Sequence, residues 1–434
     1  MAAVRFDGAA ELFDKVPEAV VNLCRRLAQR GYRGWVVGGC VRDLLVGEAP
    51  KDWDIATDAR PEQVETVFRK VIPTGIDHGT VTVVQQGVAY EVTTLRGEGA
   101  YLDGRRPSEV SFLEDIEQDL ARRDFTFNAI ALDPLKREVR DPFGGRADLE
   151  RRCLRAVGVA HERFCEDGLR ILRGARFAAV LECRVEDETW AAMGAERPLA
   201  TLARVSAERV HDEWYKSMRA ARPSIAFSIM ADTGALALHA PELAACRAEA
   251  PALYERGLGT MDRLDGEPPA LRLTGLLAIV AEREGEGALD ALLVRLKFKN
   301  KDRQRIVAAA RALPSTRGEV AFTPAGVRRW LAAHGPDVAR DVWRVAEAEG
   351  TPQPALSALR QEGEAALAAG VALTTRDLAV DGAALMSVLD RRPGRWLGDL
   401  LAHLLDAVLE EPSRNERDEL LAHARAWAED RPES

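Results

Sequence analysis

The sequence predicts a small α/β head followed by a long helical body. Three observations carry that reading. Short strand-like runs separated by glycine turns are confined to about the first 150 residues. Beyond them almost no segment alternates apolar and polar residues. Ala and Leu dominate the second half and aromatic residues are only 6% of the chain, a composition suited to packed helices.

Each element follows from local pattern. Pro17 to Arg30 reads as a helix with Val20, Leu23, Cys24 and Leu27 on one side and Gly31 as its stop. Trp35-Val36-Val37 reads as a buried strand running into Gly38-Gly39, with a helix starting by Val41 to Leu45. Asp52 to Thr57 reads as a strand. Thr80 to Val84 and Val88 to Thr94 read as a hairpin across Gln85-Gln86-Gly87. The turn cluster Asp141-Pro142-Phe143-Gly144-Gly145 marks a boundary. Helices are then expected over 163–181, 207–221, 269–284, 288–296, 301–313, 324–334 and 397–409.

At 434 residues the chain exceeds one ordinary domain and suggests roughly two to four. The net charge of −9 gives no global sign of nucleic-acid binding, so any such site must be local. Residues 1–150 hold 20 basic and 26 acidic side chains, a net of −6. Residues 151–182 hold seven arginines against four acids, a net of +3. Either a phosphate-gripping strip or an ion-paired helix face fits that run. No run approaches the ~18 apolar residues of a membrane span, and the first fifteen residues lack a secretory apolar stretch. The six cysteines are scattered without a C-x-x-C pair, as in a cytoplasmic protein with reduced thiols.

The chemistry concentrates in GWVVGGCVRDLLVGEAPKDWDIATDA (34–59). Gly38-Gly39 between strand and helix lets backbone approach a ligand, and a helix start attracts phosphate. Arg42, three residues on, could reach the same anion. Asp52 and Asp54 are two apart, so a strand would project both from one face. Adjacent carboxylates repel, and a divalent cation removes that cost with the hard oxygen ligands Mg²⁺ prefers. Two solvated acids at a strand end would satisfy the same spacing. Glu91, between Tyr90 and Val92, offers a third carboxylate or an exposed strand acid. Three carboxylates on adjacent strands form the ligand set for two metals in nucleotidyl transfer.

These motifs resemble the class II tRNA nucleotidyltransferase and bacterial poly(A) polymerase family, within the polymerase-β-like superfamily. The resemblance continues in family order through IPTGIDHGTVTVV (72–84), EVTTLR (91–96), AYLDGRRPSEVSF (100–112), DLARRDFTFNAIA (119–131), DPFGGRADLE (141–150), LRAVG (154–158) and RFCEDGLRILRGARF (163–177). Weaker matches follow at SAERVHDEW (206–214), LKFKN (296–300), PGRWLGDLL (393–401) and Asn415. It implies an α+β head of polymerase-β-like nucleotidyltransferase type, followed by an all-α neck, body and tail. The corresponding divisions are 1–150, 151–220, 221–350 and 351–434.

The resemblance also implies residue roles. Gly38, Gly39 and Arg42 would meet the triphosphate, Asp52 and Asp54 would hold Mg²⁺, and Glu91 would join the catalytic carboxylates. Arg123 would bind nucleotide, or else pair with Asp119 or Asp124. Asp167 and Arg170 would read the base, with Arg173 and Arg176 assisting. A carboxylate accepting from an exocyclic amine, beside a guanidinium donating to ring acceptors, would admit C and A and reject U and G. Spacing i, i+3 equally fits an intrahelical ion pair. The family usually has Pro where Gly168 stands. The loop 96–110 would belong to switching from C to A addition. Many relatives carry a His-Asp phosphohydrolase motif; Ala278-Ile279 stands at the matching place, so a second hydrolase activity is not expected. Arg272, Lys297, Lys299, Lys301 and Arg303 would instead grip RNA backbone, or else are loose solvated charges.

The activity expected is template-independent, Mg²⁺-dependent addition of CCA to tRNA 3′ ends from CTP and ATP in the cytoplasm. The expected partners are tRNA and the two nucleotides, with no membrane and no protein partner evident. CC-only, A-only and poly(A) addition share the chemistry. A small-molecule nucleotidyltransferase would not need so long a helical body, and a non-catalytic RNA-binding protein would survive loss of Asp52 and Asp54.

Overall fold

A computed structural model describes residues 9–75, 79–98, 110–112, 115–317, 323–350 and 354–429. The chain divides into two compact units, Met1–Ala244 and Ala245–Ser434.

The first unit is built on a mixed seven-stranded sheet. Its strands are β1 (Gly34–Val37), β2 (Asp54–Thr57), β3 (Val71–Gly75), β4 (Thr80–Gln85), β5 (Val88–Thr94), β8 (Ala131–Asp133) and β9 (Glu138–Arg140). A separate two-stranded ladder pairs β6 (Arg96–Glu98) with β7 (Val110–Phe112). The order in the large sheet is β3-β4-β5-β2-β1-β8-β9. Only β2 and β5 run parallel; the other pairs are antiparallel. All four residues of β1 are buried, as a central strand covered on both faces requires. One face packs Trp35, Val37, Ala56, Leu95, Ile116, Leu120 and Ala131.

The helices follow the expected patterns with shorter ends. α1 spans Ala9–Asp14 and α2 spans Glu18–Ala28, burying Val20, Leu23, Cys24 and Leu27. α3 (Gly39–Leu45) starts two residues earlier than the sequence pattern indicated. α4 (Pro61–Val67), α5 (Ile116–Ala121) and α6 (Gly145–Glu150) complete the head. β2 begins at Asp54, so Asp52 precedes the strand that was expected to contain it. Most of the loop at 96–110 lies outside the described residues.

The neck corrects the reading of 163–181 as one helix. α7 (Ala160–Glu166) and α8 (Leu169–Val180) are separate, broken at Asp167-Gly168. Asp167 is extended (φ −142°, ψ 104°), and its carboxylate accepts the Leu169 N–H at 3.0 Å. An Asp side chain that bonds the backbone two residues on competes with helix continuation, and periodicity does not register that competition. A short parallel pair, β10 (Cys153–Leu154) with β11 (Arg184–Val185), also stands where only helix was expected. The helices α9 (Asp187–Met193), α10 (Glu196–Leu202) and α11 (Ala207–Ser217) follow.

In the second unit the helix Pro269–Glu284 buries every residue from Leu271 to Val280. A helix apolar on all sides belongs at the centre of a bundle. Ala278 and Ile279 therefore fill core positions. Arg272, a candidate for gripping RNA backbone, is 1% exposed, donates to the Met261 carbonyl and pairs with Asp265. That correction reflects its place on the buried face. Lys297, Lys299 and Lys301 are exposed. A further core gathers Leu385, Leu400, Leu404, Val408, Leu420 and Trp427.

Gly168 leaves no room for a side chain: a Cβ there would lie 2.2 Å from the Leu202 nitrogen of α10. Gly168→Ala is expected to destabilise the protein by roughly 1–3 kcal/mol, because backbone must move to admit the methyl group. Thermal denaturation checks this, and an unchanged Tm would contradict the close approach.

Candidate active site

The site grows from the end of β1. Gly38 has φ +79°, a left-handed conformation that L side chains rarely adopt. A Cβ at Gly38 would lie 3.1 Å from Arg123 Nη1 and 3.5 Å from Asp54 Oδ2. Three motifs far apart in sequence thus meet at one glycine. Sheet register explains it: Val37, the residue before Gly38, pairs with Asp54 across β1 and β2. Asp54 in turn pairs with Glu91 across the parallel β2 and β5, so both carboxylates share one face. Tyr90 and Val92 are buried on the other side, as alternation requires.

Burial pushes the Asp54 carboxyl up from 3.8 to about 6; Glu91 and Asp52 add to the rise and Arg123 opposes it. Asp52 and Glu91 are exposed. Among the described residues, no group of three or more His, Cys, Asp or Glu side chains is gathered to hold a metal ion. A hard cation that takes one or two carboxylates and completes its shell with water and substrate phosphates does not need such a group. Asp52 and Asp54 fit that description, since a cation would offset both the burial that raises Asp54 most and the repulsion from Glu91 and Asp52 that adds to it.

The arginines are held by a buried polar frame. Arg42 donates to Asn128 Oδ1 at 3.0 Å and to Asp43 at 2.6 Å. A Cβ on Gly39 would be 3.6 Å from Arg42 Nη2. Arg123 pairs with Asp119 at 3.2 Å rather than with its neighbour Asp124, and its buried Nε has no partner. Arg173 takes Asp124, with contacts of 2.8 and 2.5 Å. Burial alone would raise Asp124, but Arg173, the Asn128 amide and the Phe125 N–H hold it at about 2. Arg176 donates to the buried Glu213 at 2.6 Å.

Asp167 and Arg170 stand at the break between α7 and α8. Asp167 is paired with Arg209 of α11 at 2.7 Å. Arg170, 7% exposed, pairs with Glu166 at 2.8 Å and donates to the carbonyls of Arg122 and Arg163. Each therefore has its own partner on another part of the neck or head, and the simple intrahelical pair gives way to a tertiary arrangement. Of the seven arginines in 151–182, six are in ion pairs, so the run is an ion-paired face rather than an open cationic strip. Asn128, Phe177, Arg209 and Glu213 were not singled out from sequence, and Asp124 was named there only as a possible partner of Arg123. Asp124 and Asn128 had a signal, lying in the RRDFTFN segment beside Arg123.

Comparison with known proteins gives the family. The "Poly A polymerase head domain" model matches residues 34–155, the "Probable RNA and SrmB- binding site of polymerase A" model matches 184–247, and a tRNA nucleotidyltransferase domain 2 model matches 276–424. The chain is 33% identical over 407 residues to the CCA-adding enzyme of Enterococcus faecalis (strain ATCC 700802 / V583), covering 92% of this chain and 94% of that one. The chain belongs to the CCA-adding enzymes. The CCA-adding enzyme of Geobacillus kaustophilus (strain HTA426) is 46% identical over a shorter match of 228 residues, 52% of this chain and 55% of that one. The crystal structure of the Bacillus stearothermophilus CCA-adding enzyme in complex with CTP superposes with a TM-score of 0.79 at 32% identity, covering 97% of this chain and 98% of that one. The α+β head with helical regions behind it is thus the architecture of CCA-adding enzymes. They are tRNA nucleotidyltransferases, and the family uses divalent metal ions.

The raised Asp54 carboxyl has a stability consequence. It holds its proton more tightly folded than unfolded, so it favours the folded state at low pH, and that advantage is lost as pH rises from about 4 through about 6. Asp54→Asn is expected to stabilise the metal-free protein by roughly 1–3 kcal/mol at pH 7, shrinking towards zero below pH 4. Denaturant melts at the two pH values check it; an equal effect at both would contradict the origin of the shift.

Proposed function

We propose that this chain completes tRNA 3′ ends by adding C, C and A from CTP and ATP without a template strand. The observation that carries the proposal is the meeting of Asp54, Arg123 and Gly38 at one point, in a chain matched by CCA-adding enzymes along most of its length. The terminal 3′-hydroxyl of the RNA attacks the α-phosphorus of the bound nucleotide. A new P–O bond forms, the bond to the β-phosphate oxygen breaks, and pyrophosphate leaves.

Asp52 and Asp54 are the residues we assign to Mg²⁺, with Glu91 on the same face as Asp54. Bound there, Mg²⁺ would lower the pKa of an attacking hydroxyl and neutralise the triphosphate. Gly38 and Gly39 leave space for the phosphates, and Arg42 and Arg123 supply positive charge beside them. Arg173 and Arg176 are held on α8 by Asp124 and Glu213 and complete the cationic side of the site.

Asp167 and Arg170 are assigned to the base. A carboxylate oxygen of Asp167 accepts from the exocyclic amine of C or A, and Arg170 donates to the ring acceptors. Their partners Arg209 and Glu166 fix both groups before any nucleotide arrives. We assign the nucleotidyltransferase head to 1–150, the base-reading neck to 151–220, and a helical body and tail to 221–350 and 351–434. The body and tail would hold the acceptor arm by shape and phosphate contacts, because grooves of A-form RNA resist sequence reading. Among the described residues no helix is long and apolar enough to cross a membrane; a cytoplasmic location fits tRNA processing.

Three experiments test this. A tRNA lacking CCA should stop at CC with CTP alone and gain complete CCA with CTP and ATP together, and a tRNA ending in CC should gain a single A from ATP. With both nucleotides present, a stop at CC, addition of A to the CC-ended tRNA only, or long A tails would replace the proposal with the corresponding rival. Asp52→Ala and Asp54→Ala should each lower incorporation by about a thousandfold or more, and EDTA should stop the wild-type reaction. Asp167→Ala should raise UTP incorporation relative to CTP; unchanged discrimination would refute base reading by this residue.

A further inference from the structure

One buried amide ties the assigned arginines together. Asn128 lies at the end of the single-turn 3₁₀ helix Thr126–Asn128 and is 6% exposed. Its Oδ1 accepts from Arg42 Nη1 at 3.0 Å, and its Nδ2 donates to Asp124 Oδ1 at 3.0 Å. Its main-chain carbonyl accepts from Arg123 Nη1 at 3.4 Å. The other Asp124 oxygen takes Arg173 through Nε and Nη2. A continuous chain therefore runs from Arg42 on α3, through Asn128 and Asp124, to Arg173 on α8.

The chemistry of position 128 is specific. The link needs an acceptor towards a guanidinium and a donor towards a carboxylate, and an amide offers both. Aspartate would keep the acceptor and set a second negative charge against Asp124. Leucine would fill similar space and satisfy neither side. A second contact reinforces the link: the guanidinium carbons of Arg42 and Arg173 lie 5.1 and 5.5 Å from the Phe177 ring centroid. That ring is fixed edge-on against Phe125 and Phe127, at 5.8 and 5.4 Å.

We infer that Asn128 is a positioning residue that couples Arg42 in the head to Arg173 in the neck, so that a nucleotide held by one arginine meets the other already placed. This rests on the nucleotide-site assignment made above. Coupled groups act as a unit, so losing either arginine's grip disturbs the other. A buried amide that merely satisfied core polarity would change stability and leave the two arginines energetically independent.

The test is a mutant cycle on the full chain, reading the Kd for CTP and for ATP by titration calorimetry with Mg²⁺ present. The variants are Arg42→Lys, Arg173→Lys and the double variant, each in the wild-type and the Asn128→Leu background. Each single change in the wild-type background should weaken binding about tenfold, and the double change by about thirtyfold or less instead of the roughly hundredfold product. In the Asn128→Leu background the two effects should multiply, for CTP and ATP alike. If both single effects appear and multiply in the wild-type background, the coupling is overturned and the nucleotide site stands. If neither single change weakens binding, both are overturned. Coupling that persists in Asn128→Leu removes Asn128 from the link. The wild-type cycle decides the coupling even if Asn128→Leu does not fold.

Discussion

The Asp124–Arg173 ion pair is the constraint on which the site depends. Asp124 is 7% exposed, and a carboxylate so placed is tolerable only when paired and hydrogen-bonded. It is satisfied three ways, by Arg173, by the Asn128 amide and by the Phe125 N–H. One partner comes from α8 and two come from the segment that follows α5. The ion pair therefore fixes where the neck helix stands against the head sheet, and with it the position of every arginine on that helix.

The opposite electrostatic logic operates a short way along the sheet. There burial, with Glu91 and Asp52 adding to it, holds the Asp54 proton up to about pH 6. Asp124 is compensated by the protein itself, whereas Asp54 is left under-compensated, with Arg123 only partly opposing its neighbours. Asp54, left in that state, is the carboxylate we assign to a cation bound with the triphosphate. Strained or under-satisfied groups concentrate where function needs them. The positive φ at Gly38 belongs to the same place, since the backbone there must pass close to Arg123 and Asp54.

The helix break at Asp167-Gly168 is set by packing across three helices. Gly168 lets the Leu202 backbone of α10 approach, and Asp167 turns out of the helix to meet Arg209 of α11. The two residues proposed to read the base are thereby anchored through three helices rather than on one face of a single helix. Glu166 and Asp167, neighbours in sequence, serve Arg170 and Arg209 respectively.

From the sequence alone came the α/β head, the helical remainder, the glycine turn, the paired aspartates and the arginine-bearing neck. Those features are local: a period, a turn residue, or a spacing within one motif carries each. Tertiary structure alone decided which charge meets which. It joined Arg123 to Asp119 and gave Asp124 to Arg173, although Asp124 is Arg123's neighbour in the chain. It buried Arg272, paired six arginines of the neck, and made Asn128 the link between head and helix. Periodicity reports which face of an element is apolar, but a buried charge chooses its partner by distance and desolvation across elements, and no local pattern encodes that choice.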